Sequence, residues 1–219
     1  MGSAFRDPQG RTAEHGGGGS AVAAPIARDI LLAEYAGARV HVAHISSGRS
    51  VDLVRQAKKR GVQVTAEVTP QHLILTDEAL RTFETRYKVN PPIRSEEHRA
   101  ACVAGLQDGT IDAVVTDHAP HEWEEKDQEF NLAPSGFVGL ETSVGAMLTY
   151  MYHTGNIDLM TLVNAMSTAQ AKILGLDAGV IAPGKDADLT ILDLDKEWTV
   201  DSSKFYSKGK STPFDEMIY

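Results

Sequence analysis

Apolar and polar positions repeat one arrangement three times along the chain. "APIARDILLAEYAGA" spaces Ile26, Ile30, Leu31 and Ala33 at helical intervals and meets a stop at Gly37, and "RVHVAHIS" follows as a short apolar strand. "SGRSVDLVRQAKKRG" is an amphipathic helix closed by Gly61, and "VQVTAEVT" is a second strand. After an irregular stretch, "SEEHRAACVAGLQDG" combines an acidic first turn with a glycine stop, and "IDAVVTD" is the third strand. Strands and helices alternating through short turns predict parallel βα units, hence an α/β fold.

The flanks differ. Beyond Gly139 come helical blocks, "GLETSVGAMLTYMYHTG", "DLMTLVNAM" and "STAQAKILGL". The run "AGVIAPGKDADLTILDLDKEWTV" places a Pro183-Gly184 turn before alternating residues, which predicts β structure with its aspartates in solvent. At the other end "GGGGS", Gly16 to Ser20, has the composition of a flexible tether.

Composition narrows the class. With 219 residues, 42% hydrophobic and 23% charged, the chain can bury a sizeable core and reads as globular. A net charge of -9 opposes a phosphate backbone, so no nucleic-acid partner is expected. The single cysteine, Cys102, lies in a helical pattern and reads as a small buried hydrophobe, which favours a reducing, cytoplasmic setting. No stretch reaches the roughly 18 apolar residues of a membrane span, so no membrane association is expected.

The chemistry lies at the strand ends. In parallel α/β units the C-terminal ends of strands converge on one face, and here they end at His44, at Glu67 or Thr69, and at Asp117. An imidazole and a carboxylate so placed suit a divalent ion such as Zn²⁺. Asp117 could serve as ligand and general base, with His118 bonded to it as support. On the residues alone, His44 also reads as ordinary hydrogen-bonded packing, and Asp117 as a turn or cap residue. His121 follows within "DHAPH"; Asn90 stands in the extended "VNPPIR"; His72 in "TPQHL" reads as structural; His41 reads as lying on the other strand face or at the strand's start.

"VHVAHISS", "VTAEVTPQHL", "KVNPPIR", "DGTIDAVVTDHAPH", "EEKDQEF", "GFVGLET", "GKDADLTILD" and "SKGKSTPF", in this order, resemble the C-terminal half of a bacterial-type dihydroorotase of the amidohydrolase superfamily. The resemblance implies a partial (β/α)8 TIM barrel of the metal-dependent type with a small C-terminal β segment. It implies reversible hydrolysis of L-dihydroorotate to N-carbamoyl-L-aspartate in pyrimidine synthesis, with two Zn²⁺ per site in the family. Carried onto this chain, it implies His44 and Asp117 as metal ligands, with Asp117 also the proton carrier. Arg6, Asn90, His121, Ser135 and Gly136 correspond to substrate-binding positions, and Glu67 to an acid that assists metal binding in some relatives. Ser135 stands where the family usually has Phe or Pro.

Against the same pattern, "GSAFRDPQG" keeps Phe5, Arg6, Asp7 and Pro8 but has Gly2 and Ala4 where two metal-binding histidines are expected. Four βα units are not represented between it and the first helix. The expected organisation is therefore residues 1–26 as a barrel-start remnant with a glycine-rich junction, 27–176 as the partial barrel, and 177–219 as the C-terminal β segment and tail. Two surviving ligands fall below the three usual for catalytic zinc, so impaired or absent turnover is expected. His15 on the tether is not expected to replace a ligand, because ordering the tether costs about 1–2 kcal/mol per residue. Two other readings stand beside this one: a noncatalytic interaction subunit, as a homo-oligomer or with a transcarbamoylase, and another cyclic-amide hydrolase such as a hydantoinase or allantoinase.

Overall fold

The three predicted pairs of helix and strand form one layered unit. In the computed structural model, which describes residues 17–219, α1 (Gly17–Ala36) leads into β1 (Val40–Val42) and α2 (Gly48–Lys59) into β2 (Val64–Val68). The short α3 (Pro70–Ile74) and then α4 (Glu96–Gln107) lead into β3 (Ala113–Val114). The strands make a parallel sheet in the order β1-β2-β3, with His41 beside Thr65 and Glu67 beside Ala113. This is a partial α/β barrel arrangement.

Side-chain alternation decides what each face does. Along β2, Val64, Ala66 and Val68 are buried while Thr65 and Glu67 are partly exposed on the opposite face. Ser47 caps α2 by accepting the Ser50 N–H at 3.2 Å, and the helix turns Ser50, Val51, Val54 and Ala57 inward. Helix α4 approaches so closely at Gly105 that a Cβ there would lie 2.8 Å from Val51 Cγ1. Asp112 locks the layers: its carboxylate accepts the Ala66 N–H at 2.8 Å and Lys58 Nζ at 2.7 Å.

The chain then forms α5 (Trp123–Lys126) and α6 (Ser143–Met147), which continues through a π turn at Leu148–Tyr152. Helix α7 (Leu159–Val163), a π turn at Asn164–Thr168 and α8 (Ala169–Leu174) complete the helical block. Met147, Met151, Leu162 and Ala165 join Val51, Val54, Val68, Cys102 and Leu106 in the main core. Among the described residues, β1 and β3 each pair on one side only, and α1 exposes Leu31, Leu32 and Tyr35.

Two expectations are corrected. Gly17 to Ser20, expected as tether, open α1; once the alanine-rich turn after them is helical, each added residue gains a hydrogen bond without a new nucleus. The boundary drawn at residue 26 falls inside this helix. In the C-terminal segment, residues 184–192 form no strand, and Leu189 and Ile191 are exposed. Alternation makes a strand only where a partner accepts its hydrogen bonds, and that stretch has none among the described residues. Pairing is confined to the antiparallel bridge Thr199–Ile218, flanked by Trp198 N–H to Tyr219 O at 2.9 Å and Val200 N–H to Met217 O at 2.9 Å. Asp186, Asp188, Asp193 and Asp195 are exposed, as expected. Cys102 is buried, also as expected, and no described helix is long and apolar enough to cross a membrane.

Candidate active site

His44 and Asp117 stand just past β1 and β3, at the same end of the parallel sheet. Both adopt left-handed backbone conformations, at φ 33 and φ 48. For a non-glycine residue that region costs on the order of 1–3 kcal/mol and recurs at functional sites. His44 is half-buried, and its Nδ1 is buried without a hydrogen-bond partner among the described residues. Such an atom has a lone pair or a proton to offer and nothing in the described chain to take it.

Next to His44 lies His72, which is 4% exposed. Its Nε2–H donates to Pro91 O at 2.9 Å, and Nδ1 pairs with the Thr69 hydroxyl at 2.7 Å. Burial first, then the nearby His44 and Arg94, pushes its pKa down to about 4, against the Pro91 bond. His72 is thus a neutral tie between the end of β2 and the "VNPPIR" segment, consistent with its structural reading. That segment exposes Asn90, whose peptide bond to Pro91 is cis. Arg94 Nε reaches Ser46 Oγ at 3.1 Å, and burial lowers its pKa.

A second group forms around the loop that follows β3. His121 Nε2 donates to Ser135 O at 3.1 Å, and its Nδ1 lies 3.3 Å from Glu125 Oε2. Gly136 sits at φ 123, where an added Cβ would lie 2.7 Å from Ala119 Cβ and 3.1 Å from His121 Nε2. His121, Ser135 and Gly136 are therefore one packed unit. The bond from His118 to Asp117 expected from the sequence does not form; instead His118 Nδ1 accepts the N–H groups of Gly139 and Leu140, each at 3.3 Å. The segment after Phe137 packs against the residues that follow β3: Phe137 O accepts the Ala119 N–H at 3.0 Å, and a Cβ on Gly139 would lie 3.0 Å from Thr116 O.

Two lysines unremarked in the sequence hold this loop. Lys126 Nζ donates to Pro134 O at 3.0 Å and Gly136 O at 2.8 Å, while Lys88 Nζ reaches Phe130 O at 2.7 Å and Ala133 O at 2.5 Å. Lys88 O also accepts the Gly136 N–H at 2.8 Å. The available signal was weak: Lys126 lies within "EWEEKDQE", where an ion pair is the ordinary expectation.

Glu67 and His41 share the uncovered face of the sheet. His41 Nε2 donates to Glu67 Oε2 at 2.8 Å, and its Nδ1 pairs with Thr65 Oγ1 at 2.8 Å. His41 thus lies within β1, and Glu67 is engaged by imidazole. Along this face runs a cleft of about 960 Å³, bordered by Arg39, His41, Thr65, Asp112, Asp158 and Lys172. It borders neither His44 nor Asp117, so volume does not mark the chemistry here. Arg6 and His15 lie outside the described residues.

The donor set is a test for a metal. His44 and Asp117 have suitable chemistry, but they are separated by two strand spacings, about 10 Å of backbone. Among the described residues no three His, Cys, Asp or Glu side chains converge to hold an ion. The described residues therefore do not supply a complete catalytic zinc site.

Comparison with known proteins gives one direction. The pattern of the amidohydrolase family matches residues 11–216. A dihydroorotase of Pelotomaculum thermopropionicum is 53% identical over 86% of this chain and 44% of its own length. A dihydroorotase of Bacillus subtilis is 51% identical with the same coverage. Among solved structures, an L-hydantoinase from Arthrobacter aurescens superposes with a TM-score of 0.84 at 38% identity, over 88% of this chain and 44% of that one. A D-hydantoinase from Thermus sp. gives 0.82 at 30% identity, with the same coverage. This chain spans a little under half the length of the relatives it matches.

Proposed function

Because the chain belongs to the amidohydrolase family, we propose that it carries the C-terminal portion of a dihydroorotase, with turnover impaired or absent in the chain by itself. The observation that carries this reading is the 53% identity to a dihydroorotase over 86% of the chain. The reaction proposed is interconversion of L-dihydroorotate and N-carbamoyl-L-aspartate, in cytoplasmic pyrimidine synthesis. The barrel portion begins with α1 rather than at residue 27 and runs to residue 176, and 177–219 form the tail.

Each residue then has a task. As water adds to the ring carbonyl, Asp117 takes its proton and delivers it to the ring nitrogen that leaves when the cyclic amide opens; in the reverse direction it withdraws the proton from that nitrogen and returns it to the departing water. Asn90, His121 and the Ser135-Gly136 backbone hold the substrate; Arg6 receives its carboxylate. His44 and Asp117 would contribute two of the donors for Zn²⁺, which would supply nucleophile activation once further donors complete the site. The unpartnered Nδ1 of His44 and the left-handed backbone of both residues support this assignment.

The test is zinc content together with dihydroorotate turnover in the purified chain. Substoichiometric zinc and turnover orders of magnitude below a dihydroorotase are expected; stoichiometric zinc with ordinary turnover would overturn the impairment. The superposition on an L-hydantoinase at a TM-score of 0.84 favours one second reading, a hydantoin-type cyclic-amide hydrolase. Binding of dihydroorotate and of a hydantoin, compared by calorimetry, separates them. A chain that binds neither and forms a stable complex with a second copy or a transcarbamoylase is instead a noncatalytic subunit.

A further inference from the structure

Lysine side chains almost never lie fully buried unless paired, yet Lys126 is 3% exposed. No carboxylate pairs with it or with Lys88 among the described residues; both ammonium groups are spent on carbonyl oxygens of one loop. Three consecutive carbonyls point inward: those of Pro134 and Gly136 to Lys126 Nζ, and that of Ser135 between them to His121 Nε2. The Gly136 N–H is also taken, by Lys88 O. No hydrogen bond to another described residue engages the Ser135 N–H or hydroxyl, and Ser135 is exposed.

We propose that Lys126 is a positioning residue: by turning the carbonyls on either side of Ser135 inward, it fixes the Ser135 N–H and hydroxyl as the polar groups this loop presents outward. The proposal rests on the reading of the Ser135-Gly136 backbone as substrate-facing. Peptide planes are rigid, so binding a carbonyl on one side commits the N–H of the same plane to the other. The Pro134 carbonyl and the Ser135 N–H share a plane. A cationic donor suits the task because bonds from an ammonium are about twice as strong as neutral ones. A lysine also spans the distance from α5 with an apolar stem that packs as it passes.

The ammonium is poised to lose its proton. Burial, with Lys88 beside it, pushes the Lys126 pKa down to about 8. The titratable groups around the clamp are Lys88, from the turn ending at that residue, and His121 with its Glu125 partner. Deprotonation removes the charge and one donor, so the loop should loosen as pH rises through that value.

The experiment uses the full chain without substrate, so its outcome is independent of whether the chain acts on dihydroorotate. Amide exchange, corrected for intrinsic rates, is measured over residues 130–137 at pH 7 in the parent, Lys126→Met and Lys126→Arg. Protection of the loop should fall about tenfold or more in Lys126→Met, which keeps the apolar stem, and be largely restored in Lys126→Arg. Unchanged protection in Lys126→Met overturns the proposal, because packing alone then holds the loop. If Lys126→Met loses protection in β2 and α4 as well, it has failed to fold, and the parent decides. Its Ser135 and Phe137 amide shifts should move together with a midpoint near the pKa of Lys126, and shifts flat from pH 7 to 9.5 overturn the proposal.

Discussion

Acidification from pH 7 to pH 4 should cost the fold about 3 kcal/mol through His72 alone. The ring is buried, with one nitrogen on Pro91 O and the other on the Thr69 hydroxyl. An unfolded chain protonates this imidazole near its ordinary 6.5, whereas the folded chain resists until about 4. The sign follows from linkage: a histidine whose folded pKa is depressed contributes stability that is complete above 6.5 and is lost as pH falls, because only the unfolded state gains the proton. At about 1.36 kcal/mol per pH unit, the interval between those values gives about 3 kcal/mol, a large share of a typical stability of about 5–15 kcal/mol. The assay is the urea midpoint at pH 7, 6, 5 and 4 in the parent chain and in His72→Gln, whose amide can still donate to Pro91 O but does not titrate. Carboxylates and His98 titrate in both proteins, so the difference between the two curves isolates His72. Parallel curves over the whole range would refute the reasoning.

Gly136→Ala forces a side chain onto φ 123 and into contact with Ala119 and His121, so a loss of about 1–3 kcal/mol is expected, read by urea unfolding. In the same variant the His121 ring signals should shift as its bond to Ser135 O is displaced. The Cys102 thiol is buried, and burial pushes its pKa up to about 12, so the native chain should not react with Ellman's reagent at pH 8. One thiol should appear on unfolding. Asp112→Ala leaves the Ala66 N–H without its acceptor and Lys58 with the Gly109 carbonyl alone, and should cost about 1–3 kcal/mol in urea, with Asp112→Asn costing less.

The βα repeat was legible because burial requires it: the Val51, Val54, Ala57 stripe and the Val64, Ala66, Val68 alternation are readable as spacing before any contact is known. Strand-end placement of His44 and Asp117 followed from the same repeat. Their left-handed backbone did not, since neither residue type announces it as glycine does. Hydrogen-bond partners were the least legible feature. His118 was assigned to its chain neighbour and instead serves N–H groups 21 and 22 residues away. Lys126 was hidden by its acidic neighbours, because a charge run describes sequence and not which member turns inward. The 184–192 run shows the limit of periodicity: alternation reports a capacity to pair, and pairing needs a second strand.

Sheet order here equals chain order, with β1 beside β2 and β2 beside β3. During synthesis, each strand's partner is therefore the next to leave the ribosome, and no strand waits for a distant sequence to arrive. The helix between two strands can pack as soon as both are present. Assembly should be vectorial: in pulse-labelled exchange during refolding, β1–β2 amides should gain protection no later than β2–β3 amides. A chain wired this way can also be lengthened at its start by further units of the same kind, because a new strand needs only the outer edge of β1 and disturbs no pairing already made.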